Sequence, residues 1–202
     1  MQLMGKYIFI RHGESNINVL GVLSGDSDVS GLTEKGMAQA RRTAEQLSGI
    51  KIDGIISSPL KRAFETAKII GEVLNIDVKT DERLIEVNLG RAKEKKINEF
   101  TNPLYPNSHI TGSIRNLIGM EDWDDMISRV KSAMDIFNGK YIFVSHSDPI
   151  RAIASYYLGW TEDDSFGIDI KNASMTVIDS DKNKVLCLGA INLDPEIKKL
   201  FY

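Results

Sequence analysis

The sequence lacks the features that mark secreted and membrane-spanning proteins. It has one cysteine among 202 residues, so no disulfide can form within the chain, which fits a reducing compartment. No apolar run approaches the roughly 20 residues that are needed to cross a membrane. The apolar stretch near the start is short and runs directly into polar residues, unlike a secretory signal. We therefore expect a cytoplasmic protein that associates with no membrane.

Positive charge is also too scarce and too dispersed to suit a nucleic-acid partner. Lys and Arg number 25 against 28 Asp and Glu, which gives a net charge of −3. The basic runs are short, as in KEKK at Lys93–Lys96, and no aromatic residues interleave with a basic stripe. The composition is 42% hydrophobic and 26% charged, as in ordinary globular proteins. We expect no nucleic-acid partner and a single domain over residues 1–202.

Strand and helix patterns alternate along the chain. Two short apolar runs with a shared KYIF sequence end on histidines, at Lys6–His12 and Lys140–His146. Apolar residues at helical spacing follow Thr33 and the Ser58–Pro59 pair, which we interpret as helix starts. The alternation predicts an α/β fold, a three-layer sandwich whose mainly parallel sheet carries helices on both faces. A hairpin around Ser180–Asn183 would add antiparallel strands at one side.

Two further stretches suggest a lid or a disordered connection and an exposed sheet edge. Residues 88–119 include Pro103 and Pro106 and show little periodicity, so we interpret them as a lid segment or a disordered connection. His109 would then be a surface residue or a lid contact. The last strand of the hairpin, Val185–Ile191, would lie at a sheet edge, and such an edge would allow a homodimer.

Reactive side chains follow the ends of the predicted strands. The carboxyl ends of parallel strands meet at one edge of a sheet, so we expect these side chains to converge there. Arginine matches a phosphate group, a neutral histidine can be a nucleophile, and a carboxylate can pass a proton to a leaving oxygen. This combination favours phosphoryl transfer. The candidate catalytic residues are Arg11, His12, Arg62, Glu86 and His146.

Other interpretations of the same residues are open. His12 and Glu14 are not spaced like a helical zinc motif and no cysteine cluster accompanies them, so we expect no metal. Ser147 lacks the G-x-S-x-G surroundings of a serine nucleophile. A non-catalytic phosphate sensor or scaffold is a further alternative, although such a protein would not need both His12 and Glu86.

The ordered set of motifs resembles the histidine phosphatase superfamily, the phosphoglycerate mutase-like group with the RHG motif. The set begins with RHGES and Asn18 and continues through LTEKGMAQA and SSPLKRAFETA to the segment around Glu86 and SHSDPIR. The match extends to Asn172–Ser174, so it covers most of the chain. The resemblance implies a phosphoglycerate mutase-like fold and a small phosphorylated metabolite as substrate.

The resemblance also implies a role for each matched residue. His12 would become phosphohistidine, and Glu86 would be the proton donor and later the base. Three residues would hold the phosphoryl oxygens: Arg11, Arg62 and His146. Four further residues would line the substrate pocket: Asn18, Ser24, Gly25 and Ser147, the last through its backbone N–H.

Departures from the family pattern bear on the reaction. The family commonly has glycine where this chain has Ser147, which fits only if the backbone there needs no positive φ. Mutases of the family typically carry a basic pair in an insertion after the acid, whereas Glu99–Glu121 offers only Arg115. We therefore expect hydrolysis of a small phosphate monoester without a cofactor. The alternative is a phosphoglycerate mutase, for which 2,3-bisphosphoglycerate would be the phosphoryl primer.

Overall fold

The computed structural model describes residues 5–28, 30–96 and 112–202. Its described strands form one mixed sheet in the order β3-β2-β4-β1-β5-β6. The first four of these run parallel, and β5 and β6 are antiparallel, which confirms the predicted α/β class and the closing hairpin. The strands are β1 (Lys6–Arg11), β2 (Gly54–Ser57), β3 (Val78–Thr80), β4 (Lys140–Ser145), β5 (Met175–Asp179) and β6 (Lys184–Ala190).

Helices connect and cover the strands, and short 3₁₀ turns occur at Glu82–Leu84, Gly90–Ala92 and Lys199–Phe201. The helices are α1 (Asn16–Leu20), α2 (Glu34–Leu47), α3 (Lys61–Leu74), α4 (Gly112–Ile118), α5 (Trp123–Ile136), α6 (Ser147–Leu158), α7 (Glu162–Ser165) and α8 (Pro195–Lys198). None of the helices in the described ranges is long and apolar enough to span a membrane.

Two helix starts show how far local sequence determines the elements. Thr33 caps α2 as predicted, because its hydroxyl accepts a hydrogen bond from Gly36 N–H at 3.0 Å. The predicted start of α3 at Ser58–Pro59 is wrong, since α3 begins at Lys61 after Leu60. Ser58 instead donates its N–H to Val144 O at 2.9 Å, which extends the pairing of β2 with β4 and delays the helix.

Residues 88–119, which sequence predicted to be irregular, contain regular structure near both ends. Gly90–Ala92 forms a 3₁₀ turn and Gly112–Ile118 forms α4. Residues 97–111, including His109, lie outside the described residues, so the lid interpretation stays a prediction. The edge position predicted for the last strand is correct, because β6 pairs only with β5 among the described strands.

Both faces of the sheet are buried, and alternate residues of β1 point to each face. Tyr7 and Phe9 join the core beneath α5 and α6, where Phe9 meets Phe143 edge-on with ring centroids 5.2 Å apart. Ile8 and Ile10 join the opposite core beneath α2 and α3. The helices on the two faces form the outer layers of the predicted three-layer sandwich.

The pairing of β1 with β4 positions the candidate site. The two KYIF copies are parallel neighbours in register, from Lys6 opposite Lys140 to Arg11 opposite Ser145. His12 and His146 are the next residues of their strands, so they emerge side by side at the carboxyl edge of the sheet.

Candidate active site

The two histidines lie in a buried cluster. Their ring centroids are 5.2 Å apart, and the side chains of His12 and His146 are only 2% and 0% exposed. His12 N–H also donates to Ser145 O at 3.0 Å, which continues the β1–β4 pairing. The sheet register therefore fixes the distance between the two rings.

One ring nitrogen of His12 is held by the backbone. Nδ1 lies 2.6 Å from Gly13 O, and a carbonyl can only accept, so Nδ1 carries the proton. Burial, followed by the charges of Arg11 and Arg62, holds the pKa of His12 well below its ordinary value. The ring is therefore neutral at pH 7, and Nε2 has a free lone pair, as a nucleophile requires.

Arg62 is positioned by the loop that contains Gly25. The arginine is 1% exposed in the first turn of α3, and its two terminal nitrogens donate to Ser27 O at 2.8 Å and Gly25 O at 2.7 Å. Gly25 has φ +49°, and a Cβ there would lie 2.8 Å from Val87 O. The positive φ and the close approach both require glycine at this position.

Three buried side-chain nitrogens of the candidate site have no hydrogen-bond partner within the described part of the chain. They are Arg11 Nε, Arg62 Nε and His146 Nδ1. Arg11 is further fixed by a 2.5 Å hydrogen bond from Nη1 to Ile170 O. Buried donors normally have partners, and two of these belong to permanent cations, so the cluster suits an anion such as a phosphoryl group.

Glu86 is a buried carboxyl beside this cluster, with 8% of its side chain exposed. Oε1 accepts from Val87 N–H at 3.0 Å and Asp148 N–H at 3.3 Å, and Oε2 accepts from the Ser147 hydroxyl at 3.3 Å. Burial, and then the charge of Asp148, raises the pKa of Glu86 to about 7. Both protonation states are thus populated near neutral pH, so the carboxyl can donate and accept a proton.

The residues expected to line the substrate pocket lie near the buried histidines or in the loop that binds Arg62. Asn18 Oδ1 accepts from Asn172 Nδ2 at 3.3 Å, and the same Asn172 nitrogen donates to His12 O at 3.0 Å. Ser147 begins α6 and has no positive φ, so serine fits where relatives commonly have glycine. Ser24 lies in the Gly25 loop, where its carbonyl accepts from Ser27 N–H at 2.9 Å.

The comparison with known families decides the classification. The family model of the histidine phosphatase superfamily (branch 1) matches residues 7–192. The chain belongs to this superfamily. The enzyme prediction, a histidine phosphatase or a phosphoglycerate mutase, is confirmed at this level.

Two relatives and one solved structure illustrate the likeness. The 2,3-bisphosphoglycerate-dependent phosphoglycerate mutase of Thermoplasma acidophilum is 53% identical, over 95% of this chain and 96% of the relative. Phosphoserine phosphatase 1 of Hydrogenobacter thermophilus is 32% identical, over 92% and 91%. The solved structure of Bacillus stearothermophilus YhfR is 25% identical, with a TM-score of 0.78 and coverage of 94% and 98%.

Sequence reasoning missed two residues that make hydrogen bonds within the candidate site. Ser58 Oγ lies 2.8 Å from His146 Nε2, and Thr66 Oγ1 accepts from Gly13 N–H at 3.0 Å. Both lie inside the SSPLKRAFETA motif, and Thr66 is four residues after Arg62, on the same face of α3. The four-residue spacing could have identified Thr66, because a threonine hydroxyl in a helix can donate to the carbonyl four residues earlier. Thr66 does so, to Arg62 O at 2.8 Å.

Arg115, the basic residue considered for substrate binding, is bound by other residues of the protein. It is buried and forms an ion pair with Glu162, and its guanidinium donates to Glu121 O. Its guanidinium also lies over the Trp123 ring, 5.6 Å from the centroid. These contacts indicate a structural role for Arg115 in the conformation described.

Proposed function

We propose that the protein is a 2,3-bisphosphoglycerate-dependent phosphoglycerate mutase that transfers phosphoryl groups through His12. The observation that carries the chemistry is the neutral, backbone-held ring of His12 between Arg11 and Arg62. The 53% identity to the Thermoplasma acidophilum mutase, over nearly the whole of both chains, favours the mutase over the hydrolysis expected from sequence.

The donor set fits a phosphorylated primer. In this proposal, the phosphoryl group is held by Arg11 Nε, Arg62 Nε and His146 Nδ1, the buried donors without an acceptor in the described residues. Bound 2,3-bisphosphoglycerate would supply the phosphoryl group that charges His12. Asn18, Ser24 and Gly25 would shape the neighbouring pocket.

Phosphorylation of His12 needs the protonated form of Glu86. His12 Nε2 forms a bond to phosphorus while the bond between phosphorus and the leaving oxygen breaks. Glu86 gives its proton to that oxygen, and Arg11 and Arg62 stabilise the charge on the phosphoryl oxygens. The product state holds phosphohistidine at His12 and a carboxylate at Glu86.

Return of the phosphoryl group reverses these roles. The Glu86 carboxylate takes the proton of an incoming phosphoglycerate hydroxyl, whose oxygen forms the new bond to phosphorus. The bond between phosphorus and Nε2 breaks, and His12 is again neutral. The backbone N–H of Ser147 lies in the first turn of α6, where the helix dipole favours the transferred anion.

Hydrolysis of a phosphate monoester is the second candidate, with water in place of the phosphoglycerate hydroxyl. Arg115 favours this reaction, because its contacts with Glu162 and Glu121 leave it unavailable to a substrate carboxylate in this conformation. The 32% identical phosphoserine phosphatase also supports this candidate.

An assay with 3-phosphoglycerate and a catalytic amount of 2,3-bisphosphoglycerate distinguishes the two reactions. We expect 2-phosphoglycerate to form faster than inorganic phosphate, with both followed by ³¹P NMR. The matched controls are His12→Asn, which we expect to be inactive, and His109→Asn, which changes the third histidine. Release of inorganic phosphate without isomerisation would instead establish a phosphatase.

We also propose that residues 1–202 form one catalytic domain acting in the cytoplasm on a small phosphorylated metabolite. The family match over residues 7–192 supports the single domain, and the single cysteine fits a reducing compartment. The edge position of β6 supports a homodimer, which light scattering at several protein concentrations would test.

A further inference from the structure

We propose that Ser58 is a positioning residue that sets the tautomer of His146, so that its Nδ1–H points at the bound phosphoryl group. This inference rests on the phosphate-binding role proposed above for His146. Ser58 would not contact the substrate and would act only through the imidazole ring.

The contact between the two side chains is buried and short. Ser58 Oγ lies 2.8 Å from His146 Nε2, and both residues are 0% exposed. Ser58 also accepts a hydrogen bond from Leu60 N–H at 3.3 Å. On the other side of the ring, His146 Nδ1 has no partner within the described ranges.

The hydrogen-bond inventory selects the direction of this contact. A serine hydroxyl has one proton, and a buried hydroxyl normally donates it. Ser58 Oγ has two hydrogen-bond contacts among the described residues, and Leu60 N–H can only donate to it. The Ser58 hydroxyl proton must therefore go to the other contact, His146 Nε2. Donation to Nε2 places the lone pair on that nitrogen and the proton on Nδ1.

The opposite tautomer would oppose phosphate binding. If Nε2 carried the proton, Nδ1 would present a lone pair to the phosphoryl oxygens, which are themselves acceptors. With the proton on Nδ1, the bound state satisfies the Ser58 hydroxyl, both nitrogens of His146 and a phosphoryl oxygen together. The bound anion and Ser58 therefore favour the same tautomer.

The backbone keeps Ser58 in place for this role. Ser58 N–H donates to Val144 O at 2.9 Å, which ties the residue to β4, the strand that delivers His146. The preceding residue provides a matched control, because Ser57 is equally buried but its hydroxyl donates to Ser58 O at 2.8 Å. Ser57→Ala removes a buried hydroxyl at the same strand end without altering the His146 contact.

The tautomer can be measured directly by ¹⁵N NMR of histidine side chains. The chain has three histidines, and His109→Asn leaves only the two of the site. With inorganic phosphate as the probe, we expect the Nδ1–H form of His146 in the wild type, Ser57→Ala and Ser58→Thr. Because the bound anion favours the same tautomer, we expect Ser58→Ala to lose the Nδ1–H form in the phosphate-free protein, where the wild type, Ser57→Ala and Ser58→Thr keep it. If the wild-type spectrum in phosphate showed the proton on Nε2 of His146, that result alone would overturn the proposal.

Phosphate affinity gives an independent readout from the same samples. Loss of a correctly oriented hydrogen bond to an anion should weaken binding roughly 10- to 100-fold in Ser58→Ala. Ser58→Thr keeps the hydroxyl, so we expect it to restore the affinity. Unchanged affinity and tautomer in Ser58→Ala would contradict the proposal.

These measurements do not depend on the identity of the reaction. If the protein bound phosphate with the expected tautomer but did not isomerise phosphoglycerate, the Ser58 proposal would stand and the mutase proposal would fail. If isomerisation were fast but Ser58→Ala matched the wild type in tautomer and phosphate affinity, the mutase proposal would stand and the Ser58 proposal would fail.

Discussion

At the scale of single residues, the protonation of Glu86 ties activity to pH. Its pKa is raised to about 7, chiefly by burial, and the proposed phosphorylation of His12 requires the protonated form. We expect the single-turnover rate of His12 phosphorylation to fall as pH rises above about 7. Glu86→Gln should lower this rate by about 10²- to 10⁴-fold and abolish that limb of the profile. Glu82→Gln, which changes an exposed glutamate nearby, should keep both rate and profile.

The same carboxyl makes stability depend on pH. Between about pH 4.5 and 7 the folded state retains a proton on Glu86 that the unfolded state has lost, so the free energy of unfolding falls as pH rises. The full effect is on the order of 3 kcal/mol. We expect Glu86→Gln to become progressively more stable relative to the wild type across this range, as measured by urea unfolding. A constant difference would show that burial does not raise this pKa.

At the scale of secondary-structure elements, the start of α2 packs directly against the loop that follows His12. A Cβ built on Gly36 would lie 2.0 Å from Glu14 O, and one on Gly13 would lie 2.4 Å from Gly36 O. The two backbones therefore touch, and Thr33 N–H donates to Glu14 O at 2.9 Å across the same contact. This contact holds the loop that presents His12.

Substitution of Gly36 tests that contact. We expect Gly36→Ala to destabilise the fold by about 2–4 kcal/mol and to reduce turnover, because the helix or the His12 loop must shift. Gly49→Ala is the control: at φ +83°, with nothing within 4 Å of its Cβ, it should cost only about 1 kcal/mol of backbone strain. Thermal unfolding and kcat measure the two effects. Equal losses in both variants would show that the contact is not rigid.

The elements that sequence predicted correctly are those with strong local or repeated signals. The KYIF copies predicted two strands that deliver His12 and His146 to one edge of the sheet, and Thr33 predicted the start of α2. The start of α3 was wrong because Ser58 pairs with β4, a partner distant in sequence. The local sequence at Ser58–Pro59 indicates a helix start, and it contains no information about pairing with a strand so distant in sequence.

The same limit applies inside the candidate site. The types and order of the five candidate catalytic residues were visible in the motifs. The hydrogen bond between Ser58 and His146 spans 88 residues of sequence, and that between Arg62 and Gly25 O spans 37. No spacing rule connects such positions, so these supporting contacts required the structure.

At the scale of the whole molecule, the site assembles positive charge from arginines of two distant segments. Arg11 is the last residue of β1 and Arg62 lies on α3, and both contribute to the low pKa of His12. Their permanent charge can stabilise the transferred phosphoryl group. The described residues contain no cluster of three or more His, Cys, Asp or Glu side chains suited to a metal ion.

Because the charge of Arg11 and Arg62 can stabilise the phosphoryl group without a metal ion, we expect chelators to leave activity unchanged. Activity measured after dialysis against EDTA should match that of the untreated protein, whereas Arg62→Lys, which keeps the charge but loses the fork of donors, should lower it at least tenfold. Loss of activity in EDTA that zinc or magnesium restores would contradict this expectation.

The side-by-side KYIF strands have a consequence for renaturation. Tyr, Ile and Phe of β1 each lie opposite the identical residue of β4, so either strand could pair equally well with its counterpart in another chain. In the completed sheet β2 and β5 occupy the outer edges of this strand pair, so a foreign strand has no free edge to join there. We expect the yield of correctly refolded protein to fall steeply as chain concentration rises, with the excess recovered as strand-exchanged assemblies. Dilution should therefore govern recovery of this protein from denaturant.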